Sequence, residues 1–368
     1  MIYFDHNATT PIDERVVECM LPYLNTFYGN PSSLYRAGRV TRSAIDTARE
    51  QVAALVDAST EQIVFTSGGT EANSLALQTA GVNASAVISS IEHPSILEPA
   101  TRNTALKVFS LLVDQDGLIA TESVEALLCE PHSIDFVSVM LANNEHGAIQ
   151  NIAQLSALNK NRQFVIHTDA IQAAGKIPIS FRQLDVDLMS LSSHKIYGPK
   201  GCGALVANKR VNISPQLVGG GQENGWRAGT ENVAAIVGFG KAAELAKLEL
   251  EQRSSHCLAL RNTLEKALHT IPGLVIFAEN AQRLPNTVQF GIKGLDGEML
   301  LMQLDQKNIA VSSGSACASG GGKASSVLTA MGVNRPLAKS AIRISLGKSN
   351  TEQEIAEFIQ TLKNFSHL

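Results

Sequence analysis

The sequence predicts an α/β protein with a large domain built on a mainly parallel sheet and a smaller α+β domain. Its length of 368 residues exceeds what one simple hydrophobic core normally serves. Short apolar runs alternate with helical patterns in the first two thirds of the chain, as in parallel sheets covered by helices on both faces. The alternation then stops, so we predict a large domain at 15–252 and a small domain made of 1–14 and 253–368.

The elements of both domains are predicted from periodicity. Apolar residues at helical spacing between Val40 and Leu55 predict an amphipathic helix. In the large domain we expect strands at 63–66, 86–89, 136–139, 164–167, 187–191 and 202–206. In the small domain we expect strands at 274–277, 287–290 and 342–345 and helices at 256–269, 296–306 and 351–364.

The composition is that of an ordinary globular protein, with 44% hydrophobic and 17% charged residues. A formal net charge of −4 offers no general attraction to nucleic acid or to an anionic membrane. No apolar run reaches the roughly 18 residues of a membrane span, and the N-terminal residues lack the pattern of a signal peptide. We therefore expect a cytoplasmic protein that binds neither nucleic acid nor membrane.

The five cysteines are scattered and form no C-x-x-C pair, which favours a reduced compartment over a disulfide framework or a zinc cluster. The histidines show no zinc-binding spacing, so no metal site is predicted. Cys317 stands apart because small residues surround it and three glycines, 320–322, follow. Such a loop exposes a thiol and lets it move, which favours a nucleophile. An inert buried cysteine is the alternative.

Lys195 follows a predicted buried strand, and Gly198 and Pro199 then force a turn. Open α/β sheets bind ligands at the carboxyl ends of their strands, so a lysine here can form a Schiff base with pyridoxal 5′-phosphate (PLP). A surface lysine at a strand exit is the alternative. Asp169 ends another predicted strand, where it could keep the pyridine nitrogen of PLP protonated, although it could also cap a helix. Gln172 could then contact the phenolic oxygen of the ring.

Two glycine-rich segments complete the pattern. The segment 66–73 joins a strand to a helix start, where backbone N–H groups and the helix dipole attract an anion, so the PLP phosphate is expected on Gly69 and Thr70. It lacks the lysine and glycine spacing of nucleotide-binding loops. The segment 219–230 contains the one Trp, Arg227 and Thr230, and it is expected to meet a ligand or a second subunit.

Taken together, these motifs resemble those of cysteine desulfurases of the NifS/IscS-like branch, in the class V aminotransferase group of fold-type I PLP enzymes. The matching segments cover nearly the whole chain in the family's order. They are 1–11, 29–33, 67–71, 92–93, 143–147, 167–172, 193–201, 227–230 and 312–317. The resemblance implies a PLP-dependent transferase fold of type I, with the Cys317 loop on the small domain.

The resemblance also implies roles for individual residues. Lys195 would be the Schiff-base lysine, Cys317 the nucleophile, and His93 a catalytic residue that stacks on the ring. The other residues implied to hold the cofactor are Gly69, Thr70, Asn144, Asp169, Gln172, Ser192, His194 and, from a partner subunit, Thr230. Arg343 would bind the substrate carboxylate, with Asn30 and Asn144 beside it, although without the resemblance Arg343 could equally be a surface arginine.

The implied activity is the conversion of L-cysteine to L-alanine, with the sulfur carried as a persulfide on Cys317 to an acceptor of Fe–S cluster assembly or another sulfur pathway. A homodimer is implied. The alternative is another class V PLP enzyme, such as a selenocysteine or cystine lyase or an aminotransferase. Three departures from the family pattern stand out: glycines at 320–322, His6 where Asn is common, and His146 where an aliphatic residue is usual.

Overall fold

The computed structural model of the protein describes residues 1–128, 134–159, 163–313 and 324–365. Its strands are β1 Ile2–Tyr3, β2 Ile63–Thr66, β3 Ser85–Ser89, β4 Lys107–Leu111, β5 Phe136–Ser138, β6 Val165–Asp169, β7 Leu188–Ser192, β8 Gly203–Ala207, β9 Leu274–Ile276, β10 Thr287–Ile292, β11 Ile309–Ala310, β12 Ser312–Ser313 and β13 Ile342–Ser345. Its α-helices are α1 Glu14–Asn25, α2 Arg36–Leu55, α3 Gly69–Gln78, α4 Pro94–Arg102, α5 Thr121–Leu128, α6 Ile152–Leu158, α7 Phe181–Leu184, α8 Val233–Leu248, α9 Leu250–Leu268, α10 Gly297–Asp305, α11 Ser326–Ala330, α12 Arg335–Lys339 and α13 Glu352–Phe365.

A seven-stranded sheet forms the centre of the larger part, with the strand order β2-β8-β7-β6-β5-β3-β4. The strands from β7 to β4 run parallel, whereas β8 is antiparallel to both of its neighbours. All residues of β7 and β8 are buried, as expected for strands covered on both faces. The predicted mainly parallel sheet is therefore present.

Side chains of this sheet alternate between two hydrophobic cores because successive strand residues point to opposite faces. On one face Phe65 and Met189 pack with Phe239 of α8. On the other face Leu188 and Leu205 pack with Leu75 of α3. The two helical layers thus bury both faces, and the functional groups are left at the strand ends.

A second, four-stranded antiparallel sheet has the order β12-β13-β10-β9, and β1 pairs in parallel with β11. These strands share a separate core, in which Phe4 contacts Phe358 of α13 edge to face with ring centroids 5.9 Å apart. Phe290 and Ile344 are fully buried beside them. The proposed division at 15–252 stays a prediction.

The predicted strands are all present, most of them shifted by one or two residues at an end. The prediction missed β4, the edge strand of the large sheet, although residues 108–113 are mostly apolar; most of the β4 side chains are exposed. Among the described residues, none of the helices is long and apolar enough to cross a lipid bilayer.

Candidate active site

A cavity of about 330 Å³ lies at the carboxyl ends of β6 and β7, where open α/β sheets bind ligands. Its lining residues come from both sheets and from the N-terminal segment. They are Asn7, Ala8, Gly69, Thr70, His93, Ser95, Met140, Asn144, Asp169, Ile171, Gln172, Ser192, His194, Lys195 and Arg343.

Most of the site residues predicted from the sequence meet in this cavity. These residues are Gly69, Thr70, His93, Asn144, Asp169, Gln172, Ser192, His194, Lys195 and Arg343. Two other predicted residues, Asn30 and Thr230, are exposed and do not line it. Cys317 lies outside the residues that the structure describes. The individual roles of all these residues stay predictions.

Lys195 reaches the cavity from a 3-10 turn, Ser193–Lys195, that follows β7 directly. Its Nζ donates to the backbone carbonyl oxygens of Asn7, at 2.5 Å, and Ala8, at 2.7 Å. Both acceptors belong to the N-terminal segment, so the lysine joins two parts of the chain that are distant in sequence.

Asp169 ends β6 with its carboxylate buried and firmly held. Its Oδ1 accepts the N–H of Ile171 at 2.9 Å, and its Oδ2 accepts the side-chain amide of Asn73 at 2.7 Å. Asn73 also donates to the hydroxyl of Ser95 at 2.8 Å. Asn73 lies one helical turn after Gly69 on α3, and this i, i+4 spacing is the signal that could have found it.

A second carboxyl group, that of Glu92, is buried behind Asp169. Burial, followed by the neighbouring charge of Asp169, raises the pKa of Glu92 to about 8. Its Oε1 accepts the N–H of Met140. Two close carboxylates do not both ionise readily in a buried place. Glu92 is therefore mostly protonated at neutral pH.

His93 occupies the N-cap of α4. Its Nδ1 accepts the backbone N–H of Ser95 at 3.1 Å and lies 2.7 Å from the hydroxyl of Ser95. Burial lowers the pKa of His93, Asp169 acts in the opposite direction, and Lys195 adds to the lowering. Because Nδ1 accepts a hydrogen bond, the proton of the neutral ring is assigned to Nε2.

Arg343 enters the cavity from β13, the second sheet. Its guanidinium donates to the backbone oxygen of Asn144 at 3.0 Å and forms an ion pair with Asp5 at 2.7 Å. The Nε atom is buried and has no hydrogen-bond partner among the described residues. This donor is therefore available to an anionic ligand that enters the cavity.

Asn7 connects these groups, and the sequence analysis did not single it out. Its backbone oxygen accepts hydrogen bonds from Lys195 and from Gln172, the latter at 2.9 Å. Its side chain donates to Thr287 at 2.9 Å and accepts from Lys176 at 2.8 Å. These are long-range contacts, so no local sequence pattern could have indicated them.

A model of the family described as "Aminotransferase class-V" matches residues 2–358. The chain belongs to the class-V aminotransferases. The resemblance predicted from the motifs is thereby confirmed for the family as a whole, and this family consists of PLP-dependent enzymes.

Relatives within this class-V family agree with the predicted branch. The cysteine desulfurase IscS of Methanosarcina thermophila is 41% identical over 381 residues, which cover 100% of this chain and 94% of that protein. IscS of Vibrio vulnificus strain YJ016 is 41% identical over 374 residues, which cover 98% and 92%. The structure of a NifS-like protein from Rickettsia africae ESF-5 matches with a TM-score of 0.92, 38% identity and 100% of both chains covered. The predicted NifS/IscS-like resemblance and fold type are confirmed.

The residues of this class-V protein fit PLP. The cavity has room for a ligand of this size. At one end, the Oγ of Ser192 is buried without a hydrogen-bond partner among the described residues, beside the N-terminus of α3. A Cβ on Gly69 would lie 2.3 Å from the terminal Cδ1 atom of Ile171, so glycine leaves room here without a shift of that side chain. These groups suit a phosphate, while Asp169 and Lys195 suit the ring nitrogen and the aldehyde.

Buried histidines surround the site without lining it. Burial lowers the pKa values of His146 and His167 to about 3 and that of His6 to about 4. His167 stacks on Phe136 and contacts the hydroxyls of Ser138 and Ser190, both at 2.9 Å. Each ring is therefore neutral in the folded protein and takes up a proton readily only on unfolding.

This linkage predicts acid sensitivity that can be assigned to His146. Because its pKa is lower in the folded than in the unfolded state, its contribution is complete above about pH 6.5 and is lost as the pH falls toward 3. We expect His146→Leu to reduce the loss of unfolding free energy between pH 7 and pH 5 by about 2 kcal/mol. Urea unfolding at the two pH values measures this difference.

The matched control is His269→Leu, since His269 is exposed and forms only a surface ion pair with Glu279. It should change the same difference by less than about 0.5 kcal/mol. Equal pH dependence in the wild type and the His146 variant would contradict the assignment.

Proposed function

We propose that this protein is a cysteine desulfurase, which converts L-cysteine to L-alanine and receives the sulfur as a persulfide on Cys317. The main support is that Lys195, Asp169, His93 and Arg343 line one cavity in a chain 41% identical to a protein named cysteine desulfurase. In this proposal, Lys195 binds the cofactor from the end of β7 in the large sheet, and Arg343 binds the carboxylate of the amino acid from β13 in the second sheet.

The cofactor end is proposed from the positions of polar groups. Gly69, Thr70, Ser192 and His194 would hold the phosphate, and Lys195 would hold the aldehyde carbon. Burial lowers the pKa of His194 to about 4, so it binds as a neutral donor. Asp169, held by Asn73 and by the N–H of Ile171, would supply the carboxylate for the ring nitrogen. When bound, PLP withdraws electrons from the substrate Cα and so labilises its proton and its Cβ–S bond.

Arg343 would bind the substrate carboxylate. Its ion pair with Asp5 and its bond to the oxygen of Asn144 hold the guanidinium toward the cavity before substrate arrives. Preorganisation of this kind reduces the entropy lost when a ligand is clamped. Asn144 lies at the same place, whereas Asn30 would need to approach from another part of the assembly.

Two side chains would move protons. Lys195 Nζ, once released from the cofactor, would remove the α-proton of the substrate, and the carbonyl oxygens of Asn7 and Ala8 orient this amine. His93, neutral because burial lowers its pKa, would hold its Nε2 proton toward the substrate and donate it during the reaction. Its Nδ1 cannot take this role since it accepts from Ser95.

Cys317 would accept the sulfur. The short distance in sequence between Cys317 and strand β12 supports this role. Strand β12 ends at Ser313 and pairs with Ile342 and Arg343 of β13. Cys317 follows Ser313 by four positions in the sequence, so their Cα atoms are at most about 14 Å apart. Cys317 would thus be connected by a short segment to the strand that pairs with the proposed substrate arginine, and it would then pass the sulfur to an acceptor protein.

A homodimer is proposed, because exposed apolar residues are concentrated in one stretch of the chain. Leu24, Tyr28 and Leu34 are 67%, 91% and 89% exposed, and such apolar surfaces usually mark interfaces. Thr230 would reach the cofactor phosphate of the partner subunit.

We propose a cytoplasmic enzyme whose acceptor belongs to Fe–S assembly or another sulfur pathway.

Capture of the cofactor tests the central lysine. Borohydride treatment of the PLP-loaded protein should fix the cofactor to Lys195, because reduction makes the lysine–PLP linkage permanent. Peptide mass spectrometry measures the site. Lys195→Ala should abolish labelling and turnover, whereas Lys209→Ala, an exposed lysine, should leave both unchanged. Labelling at another lysine would contradict the proposal.

Replacement of the proposed nucleophile tests the reaction. Cys317→Ala should lower sulfide release from L-cysteine by at least about 10³-fold, since no thiol remains to accept the sulfur, while the visible spectrum of bound PLP is retained. Cys19→Ala serves as the matched control and should keep wild-type turnover. Undiminished sulfide release by the Cys317 variant would instead favour a lyase without a persulfide.

Mixed dimers test the role of Thr230. Thr230→Val and Lys195→Ala should each be impaired alone. Co-expressed, they should regain activity, because one site of each mixed dimer combines an intact Lys195 with an intact Thr230. Turnover of the purified heterodimer measures this. No recovery in the heterodimer would place Thr230 in its own subunit's site or outside any site.

A further inference from the structure

Lys176 lies beside the cavity and contacts two of its lining residues, Asn7 and Gln172, but the proposed reaction gives it no role. It follows Gly175 in the turn after Asp169, and its Nζ donates to Gln172 Oε1 at 2.7 Å and to Asn7 Oδ1 at 2.8 Å. Burial and the charges of Lys195 and Arg343 hold its pKa well below the usual lysine value, and among the described residues no carboxylate offsets them. Such a costly placement needs a compensating role.

Lys176 and the backbone oxygen of Asn7 hold the Gln172 amide in one orientation. The oxygen of this amide is engaged by Lys176, and its nitrogen donates to the backbone oxygen of Asn7 at 2.9 Å. A primary amide nitrogen carries two hydrogens, so one N–H remains for a ligand in the cavity. Both bonds of Lys176 use N–H donors, which the amine has whether or not it is protonated.

We infer that Lys176 is a positioning residue that orients the Gln172 amide, so that a nitrogen donor rather than an oxygen meets the phenolic oxygen of PLP. This inference rests on the proposed function, in which PLP occupies the cavity. A donor stabilises the anionic form of this oxygen and so lowers the pH at which the bound chromophore loses its proton. An inverted amide would place two oxygens against each other and have the opposite effect.

The experiment is a pH titration of the visible absorption band of the PLP-loaded protein. We expect Lys176→Met to raise the midpoint by about one pH unit, as expected for loss of one hydrogen bond to an anion. Lys176→Arg keeps the donors and should stay close to the wild-type midpoint. Thermal melting identifies variants that fail to fold. If Lys176→Met is one of them, Lys176→Gln is used instead, because its side chain is one bond shorter and its N–H donor ends further from Gln172.

A double-mutant cycle separates positioning from simple charge removal. If Lys176 acts through Gln172, Lys176→Met causes no further shift in a Gln172→Met background. A shift of equal size in both backgrounds would show a direct charge effect on Lys195 and overturn the inference. The other ionisable groups near Lys176, namely Lys195, Arg343, Cys257 and His6, are the same in all variants, so their effects cancel.

The spectrum of the wild-type protein distinguishes a failure of the proposed function from a failure of the inference about Lys176. A wild-type protein without a visible PLP band would contradict the proposed function itself. A wild-type protein with a normal band, whose midpoint Lys176→Met leaves unchanged, would overturn only the role of Lys176.

Discussion

The N-terminal segment around Asn7 is the element on which the geometry of the cavity depends. The backbone oxygen of Asn7 accepts hydrogen bonds from Lys195 and Gln172 of the large sheet. Its side chain contacts Thr287 of the second sheet, and its N–H donates to Ser345 at 2.9 Å. A few polar bonds of one extended segment therefore set the distance between the lysine side and the arginine side. Since most of these groups are buried, loss of any one leaves an unsatisfied partner.

The interior of the site carries an excess of positive charge, which accounts for its electrostatics. Lys176, Lys195 and Arg343 converge, and burial together with their mutual repulsion keeps the pKa of Lys176 low. Neutral histidines avoid adding to this charge. Asp169, in the same cavity, and Asp5, which pairs with Arg343 at 2.7 Å, are carboxylates beside these cations. A cavity of this kind is poised for ligands with several negative groups, such as a phosphate and a carboxylate.

Sequence reasoning found what local chemistry reveals and missed what only folding brings together. Lys195 and Asp169 stand at the ends of apolar runs, and parallel strands place such positions at one edge of a sheet. Asn7 and Lys176 carry no comparable signal, because their partners are known only from the structure, whereas Asn73 could have been found from its spacing one helical turn after Gly69. Strand β4 is a different case: residues 108–113 are mostly apolar, yet at the sheet edge Val108 and Leu112 are exposed.

The pairing of β12 with β13 has a consequence for how the protein can diversify. Ser312 lies opposite Arg343 on one side, and Gln289 of β10 lies opposite it on the other. The arginine is thus on a central strand whose alignment is held from both edges, and a slip of one residue would turn it to the opposite face. The sequence of segment 314–323 begins just beyond this clamp, so a change in its length or composition leaves the pairing that holds the arginine unchanged. If Cys317 delivers sulfur as proposed, the acceptor preference could therefore evolve separately from the residues that would bind the substrate.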